Sequence, residues 1–162
     1  MTFTRPNPAN LRIENISEVY LEMLRAATTL TENSCPEIRE RFLPSPGSDD
    51  PDLAEDWALH VQPGLSDIFL SARETLAADL EKAVPQGEHH TLTIPISHAD
   101  AWINALNQAR LALAIVHEFT EKELAVPPPP VMKTAGHFAR LQMDFFAVLQ
   151  EWILWEQETP KQ

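Results

Sequence analysis

The sequence has little of several residues on which common catalytic and structural motifs depend. Cysteine occurs once in 162 residues, at Cys35, which excludes a disulfide within the chain and fits a reducing compartment. Four glycines are too few for the glycine-rich turns of phosphate loops and dinucleotide-binding folds. No apolar run approaches the ~18 residues of a membrane span, and residues 1–8 lack the pattern of a signal peptide. The sequence therefore predicts a cytoplasmic protein that does not bind membranes.

Basic residues are also scarce, with 12 lysines and arginines against 24 aspartates and glutamates, which gives a net charge of −12. A field of this sign repels phosphate backbones, so we expect no nucleic-acid partner. Two interpretations of the acidic surface stay open. It keeps the protein soluble, or it forms a face for a basic protein partner.

Helical periodicity dominates what the sequence does contain. Apolar residues recur at steps of three and four in several segments, of which the two longest are residues 98–123 and 135–158. Capping signatures precede the predicted helices at Asn15, Ser34 and Ser97, each with an acidic residue three positions later, and at Asp50-Pro51. The two longest helices carry matched apolar stripes and are expected to pack nearly antiparallel.

Two short segments alternate apolar and polar residues, residues 11–14 and 91–96, and are expected to pair with each other. Pro95 cannot donate to a ladder, which predicts an edge position for the second segment. Residues 1–10 are predicted to form a loose N-terminal arm. The predicted fold is a single, mainly all-α domain over residues 1–162, a bundle of four to six helices with at most one short two-stranded ribbon.

The last helix carries more large apolar residues than one neighbouring helix covers. One stripe is expected to face the core, and a second set lies to its side. Either the short helices cover this excess within the monomer, or it forms an interface that includes Phe146, Trp152 and Trp155, with a homodimer as the commonest way to bury it. The core stripe consists of Phe138, Leu141, Phe145, Val148, Trp152 and Trp155, and the lateral set of Met143, Phe146, Leu149 and Ile153.

Catalytic and metal-binding motifs are incomplete. His117-Glu118 begins like the helix of a zinc protease, but Glu121 occupies the position of the second histidine, so no metal site is predicted. Nucleophile motifs are absent as well, and we predict no catalytic residue and no cofactor. The run of prolines at residues 127–130 is interpreted as a stiff linker, with a ligand for aromatic-lined grooves as the alternative.

A polar stripe on the long predicted helix is the most specific candidate site. Asn107, Arg110, His117 and Glu121 share this stripe, beside the apolar run of residues 111–116. A covered Arg110 requires a carboxylate or carbonyl partner. The stripe is either a small-anion site, a structural arginine between two helices, or a solvated face.

Two segments of the sequence resemble a known family. Residues 102–113, with Trp102, Ala105-Leu106-Asn107 and Arg110-Leu111, are similar to the Trp-x-x-Ala-Leu-Asn-x-x-Arg-Leu segment of an uncharacterised bacterial family, the domain of unknown function numbered 2017. Residues 145–155 resemble its closing aromatic-Leu-Gln-x-Trp pattern. The resemblance implies a small intracellular protein without an assigned activity. Genes of the family are often neighbours of a gene for an adaptor that delivers substrates to an ATP-dependent protease, which implies a link to proteolysis.

The leading functional hypothesis is a non-catalytic helical protein that acts through protein–protein interaction, as an adaptor or regulator. The rival is a small enzyme or small-anion binder with a pocket around Arg110 and His117. A deep pocket that holds both side chains favours the rival, whereas a filled core with exposed tryptophans favours the interaction protein. An acidic mimic of nucleic acid is a third hypothesis.

Overall fold

A computed structural model describes residues 1–30, 36–44, 46, 50–127 and 131–158. Ser34, Cys35 and residues 128–130 of the proline run lie outside the described residues. About 66% of the described residues are helical. In chain order the elements are β1 (Thr2–Asn7), β2 (Asn10–Ser17), α1 (Glu18–Thr29), α2 (Pro36–Phe42), α3 (Pro51–His60), α4 (Gln62–Leu80), β3 (Val84–Gln86), β4 (His89–Pro95), a 3₁₀ turn (Ile96–His98), α5 (Ala99–Val116), α6 (Glu121–Leu124) and α7 (Ala135–Glu158).

The strands form one antiparallel sheet in the order β1-β2-β4-β3. Leu11 pairs with Ile94 and Ile13 pairs with Leu92, so the predicted pairing of residues 11–14 with residues 91–96 is confirmed. The prediction of at most one two-stranded ribbon is wrong, because β1 and β3 add a strand on each side. The protein therefore combines a sheet with helices and is not an all-α bundle.

The sequence pattern predicted neither of the outer strands, β1 and β3. β1 occupies most of the segment predicted to be a loose arm, and its Phe3 pairs with Ile13 of β2. β3 has three exposed residues, too few to show alternation. Pro95 does not make β4 an edge strand, because Pro95 is the last residue of β4, and the amide of Ile96 donates beyond it to the carbonyl of Ala9 at 2.8 Å.

A β-bulge in β2 explains why the predicted cap at Asn15 is wrong. Asn15 has a φ of 57°, and the register with β4 shifts between Ile13 and Ile16. The extra residue lets Ile16 continue the inward face begun by Leu11 and Ile13, and all three are fully buried. α1 consequently begins only at Glu18.

The helices cover one face of the sheet. α1 and α4 contact the inner strands, and α5 packs against α1, α2, α4 and α7. α5 and α7 are antiparallel, as predicted, since Asp100 near the start of α5 accepts a hydrogen bond from Gln157 near the end of α7 at 2.9 Å. α5 is thus the central helix of the molecule.

α7 has the predicted bounds, but its core face is not the predicted stripe. Phe138, Val148 and Trp155 of the predicted stripe are exposed. Phe145 of that stripe is buried, and so is the whole lateral set, which consists of Met143, Phe146, Leu149 and Ile153. The two sets are offset around one helix, so apolar spacing alone does not identify the face that meets α5 and the sheet.

Candidate functional site

The predicted polar stripe is divided by the end of α5. His117 is the C-cap residue, and the next residue, Glu118, has a φ of 51°. The amide of Phe119 bonds to the carbonyl of Ala114 and that of Glu118 to Ile115, which is a Schellman motif. Glu121 then begins the separate helix α6. Asn107 and Arg110 therefore share α5, whereas His117 and Glu121 do not continue its stripe.

Arg110 is half-buried between α5 and α7, and no carboxylate of the described residues lies within 4.0 Å of it. Its Nη1 donates to Oε1 of Gln150 at 2.7 Å, and its buried Nε has no hydrogen-bond partner among the described residues. Burial lowers the pKa of Arg110, the charge of Asp144 acts in the opposite direction, and the charge of Arg140 lowers the pKa further. Among the described residues, the hydrogen-bond partner of Arg110 is therefore a neutral amide, and no carboxylate contacts its guanidinium directly.

Gln150 fixes the position of Arg110. This glutamine is buried, and its Nε2 donates to the carbonyl of Ile103 at 2.8 Å, which links α7 to α5. With the amide nitrogen held there, the amide oxygen faces Arg110. The sequence signal for Gln150 was its spacing, four residues after Phe146 and three before Ile153, which are both core residues.

Arg110 opens onto a surface groove of about 580 Å³ between the two helices, which we call the α5–α7 groove. Its apolar lining includes Leu154 and Trp155, whose exposed fractions are 45% and 58%. A neighbouring depression of about 500 Å³ contains Asn107 and shares part of this lining. The groove is lined by Ile103, Arg110, Ala147, Gln150, Glu151, Leu154, Trp155 and Glu158, and Ile103, Gln150 and Leu154 are shared with the depression.

The three predicted interface residues of α7 have different environments. Phe146 is fully buried in the core and is therefore not accessible to a partner. Trp152 is half-buried and stacks on Phe3 of β1, with ring centroids 5.0 Å apart. Only Trp155 of the three lines the groove. The structure thus brings Asn107, Arg110 and Trp155 to one surface and places Phe146, Trp152, His117 and Glu121 elsewhere.

A second polar cluster lies at the other end of α5 and was not predicted. Asp79 of α4 is fully buried and accepts hydrogen bonds from Nε1 of Trp102 at 3.0 Å and from Nζ of Lys82 at 3.0 Å. Nδ1 of His98 lies 2.8 Å from the same carboxylate. Burial acts to raise the pKa of Asp79, but the hydrogen bonds from His98, Trp102 and Lys82 and the charge of His98 outweigh it, and the pKa lies below its usual value.

In the described part of the chain, no group of three or more histidine, cysteine, aspartate or glutamate residues is arranged to hold a metal ion. His117 stacks against Phe119, with ring centroids 5.7 Å apart. None of the helices among the described residues has the length and apolar character needed to cross a membrane.

A known protein family matches most of the chain. A family model described as Domain of unknown function (DUF2017) matches residues 12–159, which include β2 from Arg12 onward, β3, β4 and every helix of the described residues. No curated protein and no solved structure matches the chain.

Proposed function

The chain belongs to the family described as Domain of unknown function (DUF2017), and we propose that it is a non-catalytic cytoplasmic protein that binds a protein partner in the α5–α7 groove. Within this proposal it acts as an adaptor or regulator linked to proteolysis. The observation that carries the proposal is the exposure of Trp155 and Leu154 beside Arg110, which Gln150 holds in place and which has no carboxylate partner among the described residues.

The apolar part of the groove supplies the binding contact. Trp155 and Leu154 are large, exposed and adjacent on the last turns of α7, while the core behind them is closed by Phe146 and Ile153. Tryptophan and arginine are the residues that most often dominate the energy of protein interfaces. Burial of such side chains by an apolar anchor of the partner is favourable at about 25 cal/mol per Å².

The charges around the groove define the partner further. Glu151 and Glu158 line it, and the whole chain carries a net charge of −12. A partner segment with an apolar anchor flanked by lysine or arginine complements these charges. Arg110 has N–H donors beyond the one that contacts Gln150, and a backbone carbonyl of the bound segment would accept from them.

The rival function, a small enzyme or anion binder around Arg110 and His117, is less well supported. The groove at Arg110 does not include His117, which caps α5 and stacks on Phe119. Two glutamates in the same lining oppose a small anion. The residues that line the groove offer apolar area and hydrogen bonds, which are the properties of a docking surface.

Selection from a random peptide library tests the proposal. We expect the selected peptides to share an aromatic or branched aliphatic anchor flanked by basic residues. Their affinity, measured by calorimetry, should fall at least about tenfold with Trp155→Ala, in line with the loss of an interface hot spot. The matched control is Leu59→Ala on α3, which removes an equally exposed apolar side chain away from the groove. Peptides that are acidic, or that bind Trp155→Ala as well as the natural protein, would contradict the proposal.

In this proposal, a second copy of the chain is one protein that can bind in the groove. Light scattering distinguishes it, because the monomer has a mass of 18.3 kDa and a homodimer twice that. The informative substitution is Trp155→Asp, which places a charge in the groove. Phe146→Asp is unsuitable, because Phe146 is buried in the core and its substitution would damage the fold.

A further inference from the structure

A pocket of about 270 Å³ on another side of the molecule combines two arginines with aromatic residues. Arg39 and Phe42 come from α2, Ser66, Phe69 and Arg73 from α4, and Gln108 from α5. The described residues that line this pocket include no carboxylate. In a chain with twice as many acidic as basic residues, this lining is locally basic.

Neither arginine of this pocket has a carboxylate partner among the described residues. No carboxylate oxygen of the described residues lies within 4.0 Å of Arg39 or Arg73. Other arginines do have such partners, as in the pair of Arg140 with Asp144 at 2.7 Å and the pair of Arg25 with Glu18 at 3.2 Å. Two positive charges in one small pocket, without a carboxylate partner in the described part of the chain, attract an anion with about two negative charges.

The position of Arg73 is fixed before any ligand arrives. Its Nη1 donates to Oε1 of the buried Gln108 at 2.9 Å, while its buried Nε has no hydrogen-bond partner in the described part of the structure. Nε2 of Gln108 donates to the carbonyl of Phe69 at 3.2 Å and to Oδ1 of Asn104 at 2.9 Å. Because both amide protons are used, the amide oxygen is held towards Arg73, and the other guanidinium donors are left for a ligand.

The pocket also has an apolar wall. Phe42 and Phe69 contact each other with ring centroids 5.7 Å apart, and Ser66 adds a hydroxyl to the lining. We propose that this pocket is a site for a small phosphate monoester, with the phosphoryl group on Arg39, Arg73 and Ser66 and a small apolar or aromatic group against the two phenylalanines. Arginine binds phosphate oxygens through charge-assisted, often bidentate hydrogen bonds, and a phosphate monoester carries about −1.5 to −2 charges at pH 7.

Nuclear magnetic resonance of the arginine Nε–H groups of the whole chain tests this proposal, with phenyl phosphate as the probe at low ionic strength. We expect a saturable shift of the Arg73 signal and weaker binding of inorganic phosphate, which cannot contact Phe42 and Phe69. Arg39→Met should weaken phenyl phosphate at least about tenfold, as expected for the loss of a charge-assisted hydrogen bond. The matched control is Arg41→Met, which removes the same charge from the same helix at a residue that does not line the pocket.

Three outcomes would overturn the proposal: no saturable shift at tens of millimolar probe, an equal loss in Arg41→Met, or a loss in Arg110→Met with none in Arg39→Met. The last outcome would place the anion in the α5–α7 groove. Equal affinities for phenyl phosphate and inorganic phosphate would overturn the apolar part of the site. Arg39 is exposed, so its substitution should leave the circular dichroism spectrum unchanged. Failure here leaves the peptide test of the α5–α7 groove unaffected, since the two sites share no lining residue.

Discussion

Asp79 packs against α5 and Arg110 belongs to α5, and both side chains are ionisable. They differ in the groups that contact their charges. The Asp79 carboxylate is fully buried and is contacted by Trp102, His98 and Lys82. Arg110 is half-exposed, and among the described residues its hydrogen bond joins it to the neutral amide of Gln150. One end of α5 thus holds a satisfied polar cluster, whereas the side that faces α7 holds a guanidinium that no carboxylate of the described residues contacts within 4.0 Å.

This difference in partners suits Asp79 to stabilising the fold and Arg110 to binding another molecule. A buried carboxylate with several donors stabilises the packing around it, because removal of the carboxylate leaves buried donors without acceptors. A positioned but uncompensated guanidinium adds little to the fold and has donors left for another molecule. Arg73 repeats the arrangement of Arg110, since it too is held by a buried glutamine of a neighbouring helix. The predictions below test this separation, from the largest expected effect to the smallest.

Asp79→Ala is expected to lower the free energy of unfolding by about 2–4 kcal/mol, measured by urea denaturation at pH 7. The substitution leaves the buried indole N–H of Trp102 without its acceptor and creates a small cavity between α4 and α5. The matched control is Asp67→Ala on the exposed side of the same helix, which should change stability by no more than about 0.5 kcal/mol. Equal effects of the two substitutions would mean that the Asp79 cluster does not hold α4 to α5.

The free energy of unfolding should decrease in acid because Asp79 becomes protonated. The pKa of Asp79 is lower in the folded protein than in the unfolded chain, so its contribution is complete above the ordinary aspartate pKa of about 3.9. That contribution is lost as the pH falls through the lower, folded value. The difference in unfolding free energy between the natural protein and Asp79→Asn should therefore be constant near neutrality and shrink below about pH 4. A difference that grows with acid would contradict the direction of the shift.

The features predicted correctly from the sequence are those that depend on the spacing of nearby residues. The bounds of α7, the start of α3 at Asp50-Pro51 and the pairing of the two inner strands all follow from periodicity and capping. The capping side chain of Asp50 indeed accepts the amide of Leu53 at 3.1 Å. What failed depended on a residue in an unusual conformation or on a tertiary contact. Asn15 and Glu118 adopt positive φ without being glycine, so the bulge in β2 and the end of α5 gave no signal.

The candidate site was predicted in part for the same reason. Asn107 and Arg110 are one helical turn apart and line adjoining surfaces. Arg110 lines the α5–α7 groove, and Asn107 lines the neighbouring depression. His117 and Glu121 were added by extending a helix that ends before them. Gln150, which positions Arg110, belongs to another helix 40 residues away, and only the packing of α7 on α5 brings the two together. Glutamine in a helical sequence is usually exposed, so its burial was not expected.

Arg110→Met carries the smallest expected effect and is the sharpest test of the comparison. Methionine keeps most of the apolar stem of arginine and removes a charge that burial disfavours and that no carboxylate of the described residues contacts within 4.0 Å. Gln150 loses one donor, but its oxygen lies beside an open groove where water can replace that donor. We therefore expect the free energy of unfolding to change by less than about 1 kcal/mol, because an unpaired, partly buried charge is often replaced by an apolar residue at little cost.

Arg140→Met on α7 is the matched control. Arg140 is also half-buried, but it pairs with Asp144 at 2.7 Å and donates to the carbonyl of Leu124 at 2.8 Å. Its loss should lower the unfolding free energy by about 1–3 kcal/mol, since a charged group and a backbone acceptor lose their partner together. If Arg110→Met costs as much as Arg140→Met in urea denaturation, Arg110 ties α5 to α7 as a structural residue. In that case Arg110 would no longer distinguish the α5–α7 groove from an ordinary groove between two packed helices. The binding proposal would then depend on the peptide affinities of the Trp155→Ala variant alone.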